Sequence, residues 1–225
     1  MEMKLRLKCC LNNELGTFSM VARCPKTLTL GVCVASASLA VGSAVPHVEP
    51  GVGAIAVQGY TCFSHGVNGL KLLKNGLKPI DVLKTLLGND YLREMRQISI
   101  IDVFGERAAF TGRETLKWSG HIIGEDYVAA GNALASGKVL ESMIEAFENS
   151  EGEWLAERLL KALEAGQETG GDWRGTRSAA LVMVEREPIH EPRPKIDLRV
   201  DLHNEPVKEL RRIFESYKRW MQITR

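Results

Sequence analysis

The sequence predicts an α+β protein in which two antiparallel β-sheets pack face to face and helices cover both outer faces, a four-layer αββα sandwich. Strand-like segments occur in groups separated by helical hairpins, which argues against the regular βαβα order of a doubly wound parallel sheet. Several of these segments lack polar alternation, as expected where both faces of a sheet are buried. The 225 residues contain no linker-like tract, so we expect a single domain over residues 17–225, preceded by an N-terminal extension or propeptide over residues 1–16.

The first group of strands begins at Thr17. Thr17–Arg23 alternates in polarity, and Leu30–Ser36 is short, apolar and β-branched, with a turn signal at Cys24-Pro25-Lys26 between them. Gly53–Tyr60 is the third strand candidate. Its glycines and alanines predict close approach to a neighbouring backbone.

The periodicity then changes to that of helices. His65–Gly76 and Pro79–Leu87 have helical spacing, and the break between them predicts a helical hairpin. A second hairpin is predicted by two later apolar stripes, which consist of Val139, Leu140, Met143, Ile144 and Phe147, and of Leu155, Leu159, Leu160 and Leu163. Gly166 is the expected end of its second helix.

The remaining strand candidates lie between and after the hairpins. They are Gln97–Phe104, Arg107–Thr111, His121–Ile123, Tyr127–Ala130, Ser178–Glu185 and Ile196–Leu202. Gly105-Glu106 predicts a tight turn within this group, and the proline-rich residues 187–194 predict a loop. Asn204-Glu205-Pro206 is typical of the start of a helix, which we expect to end the chain.

Composition and charge narrow the class of protein. Hydrophobic residues make up 44% and charged residues 25%, and the formal net charge is +1, so neither nucleic acid nor a membrane is the expected partner. No apolar run approaches the length needed to span a bilayer. The five cysteines, an odd number, include no CxxC pair; they are Cys9, Cys10, Cys24, Cys33 and Cys62. This pattern predicts free thiols in a reducing cytoplasm, and we expect neither a metal site nor a cofactor.

The strongest local feature is Gly16-Thr17 at the opening of the first strand. A threonine hydroxyl needs a base to become a good nucleophile, and the α-amino group of an N-terminal threonine, with a pKa of about 8, supplies one. Here 16 residues precede Thr17. A glycine before the nucleophile leaves room for attack on its own peptide bond, while trimming by another protease and a later translation start are the alternatives. Taken alone, Gly-Thr is more typical of a surface turn that leads into a β-branched residue at the start of a strand.

From Thr17 to about Arg212 the sequence resembles domain of unknown function 1028, a bacterial and archaeal family placed in the N-terminal-nucleophile (Ntn) hydrolase superfamily. The matching segments occur in the family's order: Thr17–Arg23, Leu30–Ser36, Leu39–Pro46, Gly51–Ala54, Gly131-Asn132, Glu164–Gln167, Gly170–Asp172 and Asp197–Asp201. The resemblance implies the αββα fold and amide hydrolysis by an N-terminal threonine. It implies no particular substrate, because the family's own substrate is unsettled.

The chain departs from the family pattern in three places. Members usually begin almost directly at the threonine that corresponds to Thr17, whereas this chain carries residues 1–16 before it. Ala37 stands where members often carry a long polar or basic side chain, and Arg177 stands where glutamine is frequent. The first departure puts a free Thr17 amine in question, and the second removes electrostatic help for the nucleophile.

The resemblance also implies roles for single residues. Thr17 is the expected nucleophile and Asn132 the expected oxyanion donor, because Gly131-Asn132 resembles the Gly-Asn pair that some Ntn amidohydrolases use there. Ser36, at the end of a strand expected beside the first, is placed to orient the Thr17 amine. The structural alternatives are an asparagine in a turn at a strand end and a serine satisfied within the sheet.

Four further residues are candidates for substrate binding. Asp172 and Arg177 lie in the glycine-rich, charged loop that also holds Arg174, and arginine binds carboxylates bidentately. Gln58, on the third strand candidate, and His65 complete the set. For the loop, a turn with surface ion pairs is the alternative.

The sequence alone leaves two other classes of function open. The fold could serve as a non-catalytic ligand-binding or assembly module with the extension retained, or Cys62 near His65 could be the nucleophile. The expected partner of an amidohydrolase is a small-molecule or peptide-like substrate. Tyr217 and Trp220 form a candidate homo-oligomer interface near the C-terminus.

Overall fold

The computed structural model describes residues 16–186 and 195–221. Two antiparallel sheets are present, a six-stranded sheet in the order β10-β9-β2-β1-β8-β7 and a four-stranded sheet in the order β3-β4-β5-β6. Their strands are β1 (Thr17–Arg23), β2 (Leu30–Ser36), β3 (Pro46–Glu49), β4 (Gly53–Gly59), β5 (Arg96–Asp102), β6 (Arg107–Thr111), β7 (Gly120–Ile123), β8 (Tyr127–Asn132), β9 (Ser178–Val184) and β10 (Ile196–Val200).

Five α-helices cover the outer faces of the sheets within the described residues. They are α1 (Phe63–Lys74), α2 (Pro79–Gly88), α3 (Lys138–Asn149), α4 (Leu155–Glu168) and α5 (Pro206–Trp220). Helices α1 and α2 pack on the four-stranded sheet, and α3, α4 and α5 pack on the six-stranded sheet. None of the described helices is long and apolar enough to cross a membrane.

The alternation of side chains along β1 shows how the four layers arise. Phe18 and Met20 point to the core shared with α3 and α4, whereas Val21 joins the core between the two sheets. A third core lies between the four-stranded sheet and the helices α1 and α2. Each central strand is therefore buried on both faces, and the prediction of a four-layer αββα sandwich is confirmed.

Residue Gly166 is a correction to the predicted helix end. It lies inside α4, which continues to Glu168. A Cβ at Gly166 would lie 2.7 Å from Cγ of Met143 and 3.3 Å from Cδ2 of Phe18, so the glycine allows α4 to approach both α3 and β1 closely. Packing, and not helix termination, explains this glycine.

The other differences concern element boundaries. The strand Pro46–Glu49 was not predicted, because its four residues are too few for a periodic signal. Helix α1 begins two residues before the predicted start at His65, and the strand that begins at Ser178 ends at Val184. The predicted loop at 187–194 lies outside the described residues, as do Cys9 and Cys10.

Candidate functional site

One end of the six-stranded sheet carries a row of polar residues on the face that looks toward the other sheet. The register pairs Thr17 with Ser36 on one side and with Asn132 on the other, and Ser36 in turn pairs with Ser178. All four are at most 5% exposed. A buried polar row at the end of an otherwise apolar interface needs its own hydrogen bonds, and these define the site.

Thr17 and the peptide bond before it meet at the hydroxyl of Ser36. Thr17 Oγ1 donates to Ser36 Oγ at 3.2 Å, and Ser36 Oγ donates to the carbonyl oxygen of Gly16. The backbone N–H of Ser38 also donates to Ser36 Oγ at 3.0 Å. The expected nucleophile and the carbonyl that it would attack in its own chain are thus bound to one serine.

The glycine-rich loop after α4 closes the site on the Gly16 side. Arg174 donates to both carboxylate oxygens of Asp172, from Nε at 3.0 Å and from Nη2 at 2.8 Å. The backbone N–H groups of Ala37 and Arg174 also donate to this carboxylate, each at 3.1 Å. Four donors therefore occupy the Asp172 side chain, so it holds the loop against the end of β2, and its direct contact with a substrate stays a prediction.

A network of side-chain amides supports Asn132 from the opposite sheet. Asn132 Nδ2 donates to Gln97 Oε1 at 2.9 Å, and Gln58 Nε2 donates to the same oxygen at 2.7 Å. Ser19 Oγ donates to Gln58 Oε1 at 2.6 Å. The role of Asn132 as an oxyanion donor stays a prediction. Within the described residues its Oδ1 is buried without a hydrogen-bond partner.

The network extends from Gln97 to the edge of the molecule. Gln97 Nε2 donates to Thr111 Oγ1 and to the carbonyl oxygens of Gly120 and Gly131, each at 2.9 Å. Thr111 Oγ1 lies 2.8 Å from Nδ1 of His121, and burial lowers the pKa of His121 below its ordinary value. Sequence alone did not single out Gln97, since a glutamine within a β-branched run carries no distinguishing pattern.

Of the remaining predicted residues, Gln58 belongs to this hydrogen-bonded group, whereas the side chains of His65 and Arg177 do not. His65 lies on α1, and its Nε2 is 2.8 Å from Asp90 Oδ2, which also binds Arg96. The Arg177 side chain is exposed, while its backbone N–H donates to the carbonyl oxygen of Ser36 at 2.8 Å. Cys62 precedes α1, and its Sγ is 3.2 Å from Ser64 Oγ.

A large cavity lies at the other end of the sheet. It has a volume of about 1090 Å³ and is lined in part by Cys24, Trp154 and Arg158. Cys24 directly follows β1, so the cavity is about 20 Å along the strand from Thr17. Arg158 donates from Nε and Nη2 to the carbonyl oxygen of Phe147 at 3.2 and 3.0 Å. The cavity does not belong to the Thr17 site.

Comparison with known proteins places the chain among a group without an assigned reaction. The model of a family of unknown function (DUF1028) matches residues 17–210. A crystal structure of a Silicibacter pomeroyi protein matched by the same family model has a TM-score of 0.82 and 32% identity, covering 90% of this chain and 86% of that chain. Anbu (ancestral beta-subunit) from Yersinia bercovieri reaches a TM-score of 0.39 and 10% identity, covering 92% of this chain and 97% of that chain, a similarity too weak to specify a shared fold. No curated protein matches the chain.

Proposed function

The chain belongs to the DUF1028 family of unknown function, and from the geometry around Thr17 we propose that it is an amide hydrolase of the Ntn type with Thr17 as nucleophile. The observation that carries the proposal is the convergence on Ser36 Oγ of the Thr17 hydroxyl and the Gly16 carbonyl oxygen. One serine hydroxyl that binds both the nucleophile and the carbonyl oxygen supports acyl transfer, because it positions the hydroxyl and donates to the oxygen on which negative charge develops.

The first step that we propose is release of Thr17. Its hydroxyl oxygen adds to the Gly16 carbonyl carbon, the Gly16–Thr17 C–N bond breaks, and the hydroxyl proton passes to the departing nitrogen. The product is an ester between Gly16 and Thr17 Oγ1 together with a free α-amine. Water then hydrolyses the ester, which leaves a Gly16 carboxylate and restores the hydroxyl. Ser36 stabilises the oxygen on which negative charge develops.

Turnover repeats the same chemistry on a substrate. The α-amine of Thr17 takes the proton of the hydroxyl as Oγ1 attacks the amide carbon, and it passes that proton to the leaving amine as the C–N bond breaks. Water hydrolyses the acyl-threonine and completes the cycle. We assign Ser36 as an oxyanion donor, and Asn132 as a second donor once the amide network positions its NH₂ group.

Burial supports the order of these steps. Gly16 is buried, Thr17 is 5% exposed and Ser36 is 0% exposed, so a substrate carbonyl has no space beside Oγ1 while Gly16 is attached. Removal of Gly16 creates that space and frees the base in one event. Trimming by another protease would reach the same state.

One observation favours the second candidate, a non-catalytic module. Gly16 packs tightly against the Asp172–Arg174 pair, so the extension is integrated into the fold at this residue. Ala37, where relatives often carry a polar or basic side chain, gives the nucleophile no charged neighbour from that position.

Intact mass spectrometry of the purified protein separates the two candidates. A species that begins at Thr17, and that is labelled there by an electrophile selective for N-terminal threonine, is the result expected of the hydrolase. Thr17→Ala should abolish the label. A folded protein that retains residues 1–16 and hydrolyses no amide would instead establish the non-catalytic module.

A further inference from the structure

Gly16 has no room for a side chain. A Cβ built on its backbone would lie 2.1 Å from Nη2 of Arg174, 2.5 Å from Oδ2 of Asp172 and 2.7 Å from Cζ of Arg174. Non-bonded heavy atoms favour separations of about 3.5 Å or more, so all three positions are strongly repulsive. An L-residue here would have to displace the ion pair.

The ion pair resists displacement because it is buried and bound on several sides. The Asp172 side chain is 0% exposed and the Arg174 side chain is 11% exposed. The guanidinium makes two hydrogen bonds to the carboxylate, and the backbone N–H of Ala37 holds the same carboxylate from β2. Moving Arg174 aside would leave a buried carboxylate without its counter-charge, which is strongly destabilising.

A substrate's acyl group would occupy the place of Gly16. Attack by Thr17 Oγ1 on the Gly16 carbonyl makes Gly16 the acyl part of an ester to that oxygen. Turnover forms an ester to the same oxygen, with the acyl carbon in the same position. The atoms around the Gly16 α-carbon are therefore those that surround the α-carbon of the acyl group.

We infer that the Asp172–Arg174 pair restricts the substrates of Thr17 to amides whose acyl group has an unsubstituted α-carbon, such as glycyl amides, and excludes L-α-substituted acyl groups. The inference rests on the proposed function, because it concerns the acyl half of the amide that Thr17 cleaves. Arg174 and Asp172 act here as specificity-determining residues. They form one wall of the acyl site.

The test compares glycyl-p-nitroanilide with L-alanyl-p-nitroanilide on the purified full-length protein. We expect kcat/KM for the glycyl compound to exceed that for the alanyl compound by about 100-fold, since a steric and electrostatic clash opposes the methyl group. In the double variant Asp172→Asn with Arg174→Gln, which leaves no unpaired buried charge, the ratio should fall to about 10-fold or less. Arg107→Gln, an exposed arginine at the β6 hairpin, should keep the wild-type ratio.

Processing provides a second readout that needs no added substrate. Gly16→Ala should retain residues 1–16 where the wild type loses them, and combining it with the double variant should restore the loss. If the double variant does not fold, two measurements still test the inference. They are the ratio of kcat/KM for the glycyl and alanyl nitroanilides in the wild type, and the intact mass of Gly16→Ala, which shows whether residues 1–16 are retained.

The outcomes separate the inference from its premise. Equal hydrolysis of the two nitroanilides, or normal processing of Gly16→Ala, would overturn the inference and leave the proposed function standing. A wild type that neither processes nor hydrolyses either compound would overturn the proposed function, and the inference with it.

Discussion

The hydroxyl of Thr17 donates a hydrogen bond to the hydroxyl of Ser36 over 3.2 Å, at a buried register pair of strands β1 and β2. Ser36 also donates to the Gly16 carbonyl oxygen. One side chain therefore contacts both groups that would react in processing, the Thr17 hydroxyl and the carbonyl group of the peptide bond before Thr17. The site is therefore organised by strand register.

Replacing the nucleophile should remove activity and little else. In Thr17→Ala, processing and amide hydrolysis should both be lost, whereas Thr17→Ser should retain part of each, because serine keeps the hydroxyl. The loss of one hydrogen bond should lower the free energy of unfolding by about 1 kcal/mol. Intact mass, nitroanilide hydrolysis and urea denaturation measure these effects. Hydrolysis at the wild-type rate by Thr17→Ala would exclude Thr17 as the nucleophile.

Removing the hydroxyl of Ser36 should slow acyl transfer. We expect Ser36→Ala to lower kcat by about 10²-fold, comparable to the loss of one oxyanion donor, and to lower the free energy of unfolding by about 1–3 kcal/mol, because the buried Ser36 hydroxyl has three hydrogen-bond partners. Ser150→Ala is the matched control, because Ser150 is also buried but its hydroxyl binds the carbonyl oxygens of Ala146 and Phe147 at the end of α3. A similar loss of kcat in both variants would show that the effect comes from general destabilisation.

Gln97 should be important for both stability and activity. Gln97→Leu leaves Asn132 Nδ2 and Gln58 Nε2 without the acceptor that they share, so we expect the free energy of unfolding to fall by about 3 kcal/mol and kcat to fall with it. Thr111→Val removes one partner of Gln97 and should cost about 1 kcal/mol. Urea denaturation and steady-state kinetics test whether Gln97→Leu has the larger effect of the two variants. A Gln97→Leu variant with wild-type stability and kcat would contradict the positioning role of Gln97.

Two helical glycines should respond to alanine in opposite directions. Gly166→Ala places a Cβ 2.7 Å from Met143 Cγ, so it should destabilise the protein by about 1–3 kcal/mol despite the better helix propensity of alanine. Gly88→Ala, at the end of α2, meets nothing within 4 Å and should be neutral or stabilising. Thermal unfolding of the two variants measures both signs, and equal melting temperatures would contradict the close packing of α4 on α3.

Asp90 should make stability depend on pH in the acid range. Burial raises the pKa of its carboxyl, but hydrogen bonds from Arg96, His65 and the backbone N–H of Leu92 outweigh burial and lower the pKa to about 2. The folded-state pKa lies below the unfolded value of about 3.9. The stabilisation is therefore present above pH 4 and is lost as the pH falls through about 2.

The shift of about two pKa units limits this contribution to about 2.6 kcal/mol. Asp90→Asn should lower stability at pH 7 and flatten the curve between pH 4 and pH 2, as measured by urea denaturation across that range. An unchanged pH profile in Asp90→Asn would mean that other carboxylates dominate acid unfolding. His65 serves this cluster in the structure, so His65→Gln should affect stability more than activity.

Local patterns in the sequence were sufficient for most elements. The strands Thr17–Arg23 and Leu30–Ser36 were predicted to the residue because a turn signal separates two short β-branched runs. The four-residue strand Pro46–Glu49 was not predicted, because it forms only by pairing with β4. Gly166 was misread as a helix end, since a glycine that permits close packing and a glycine that ends a helix look alike in one chain.

The sequence by itself determined the layered fold class, the position of Thr17 at the start of a strand and the candidacy of Ser36 and Asn132. Only the tertiary structure decided which side chains meet. It placed Gln58 and Gln97 beneath Asn132 and turned His65 toward Asp90. It also set Arg174, instead of Arg177, against Gly16. The physical reason is that hydrophobic periodicity is a local property of the chain. Contacts across strands and between sheets depend on register and packing, which bring together residues far apart in sequence.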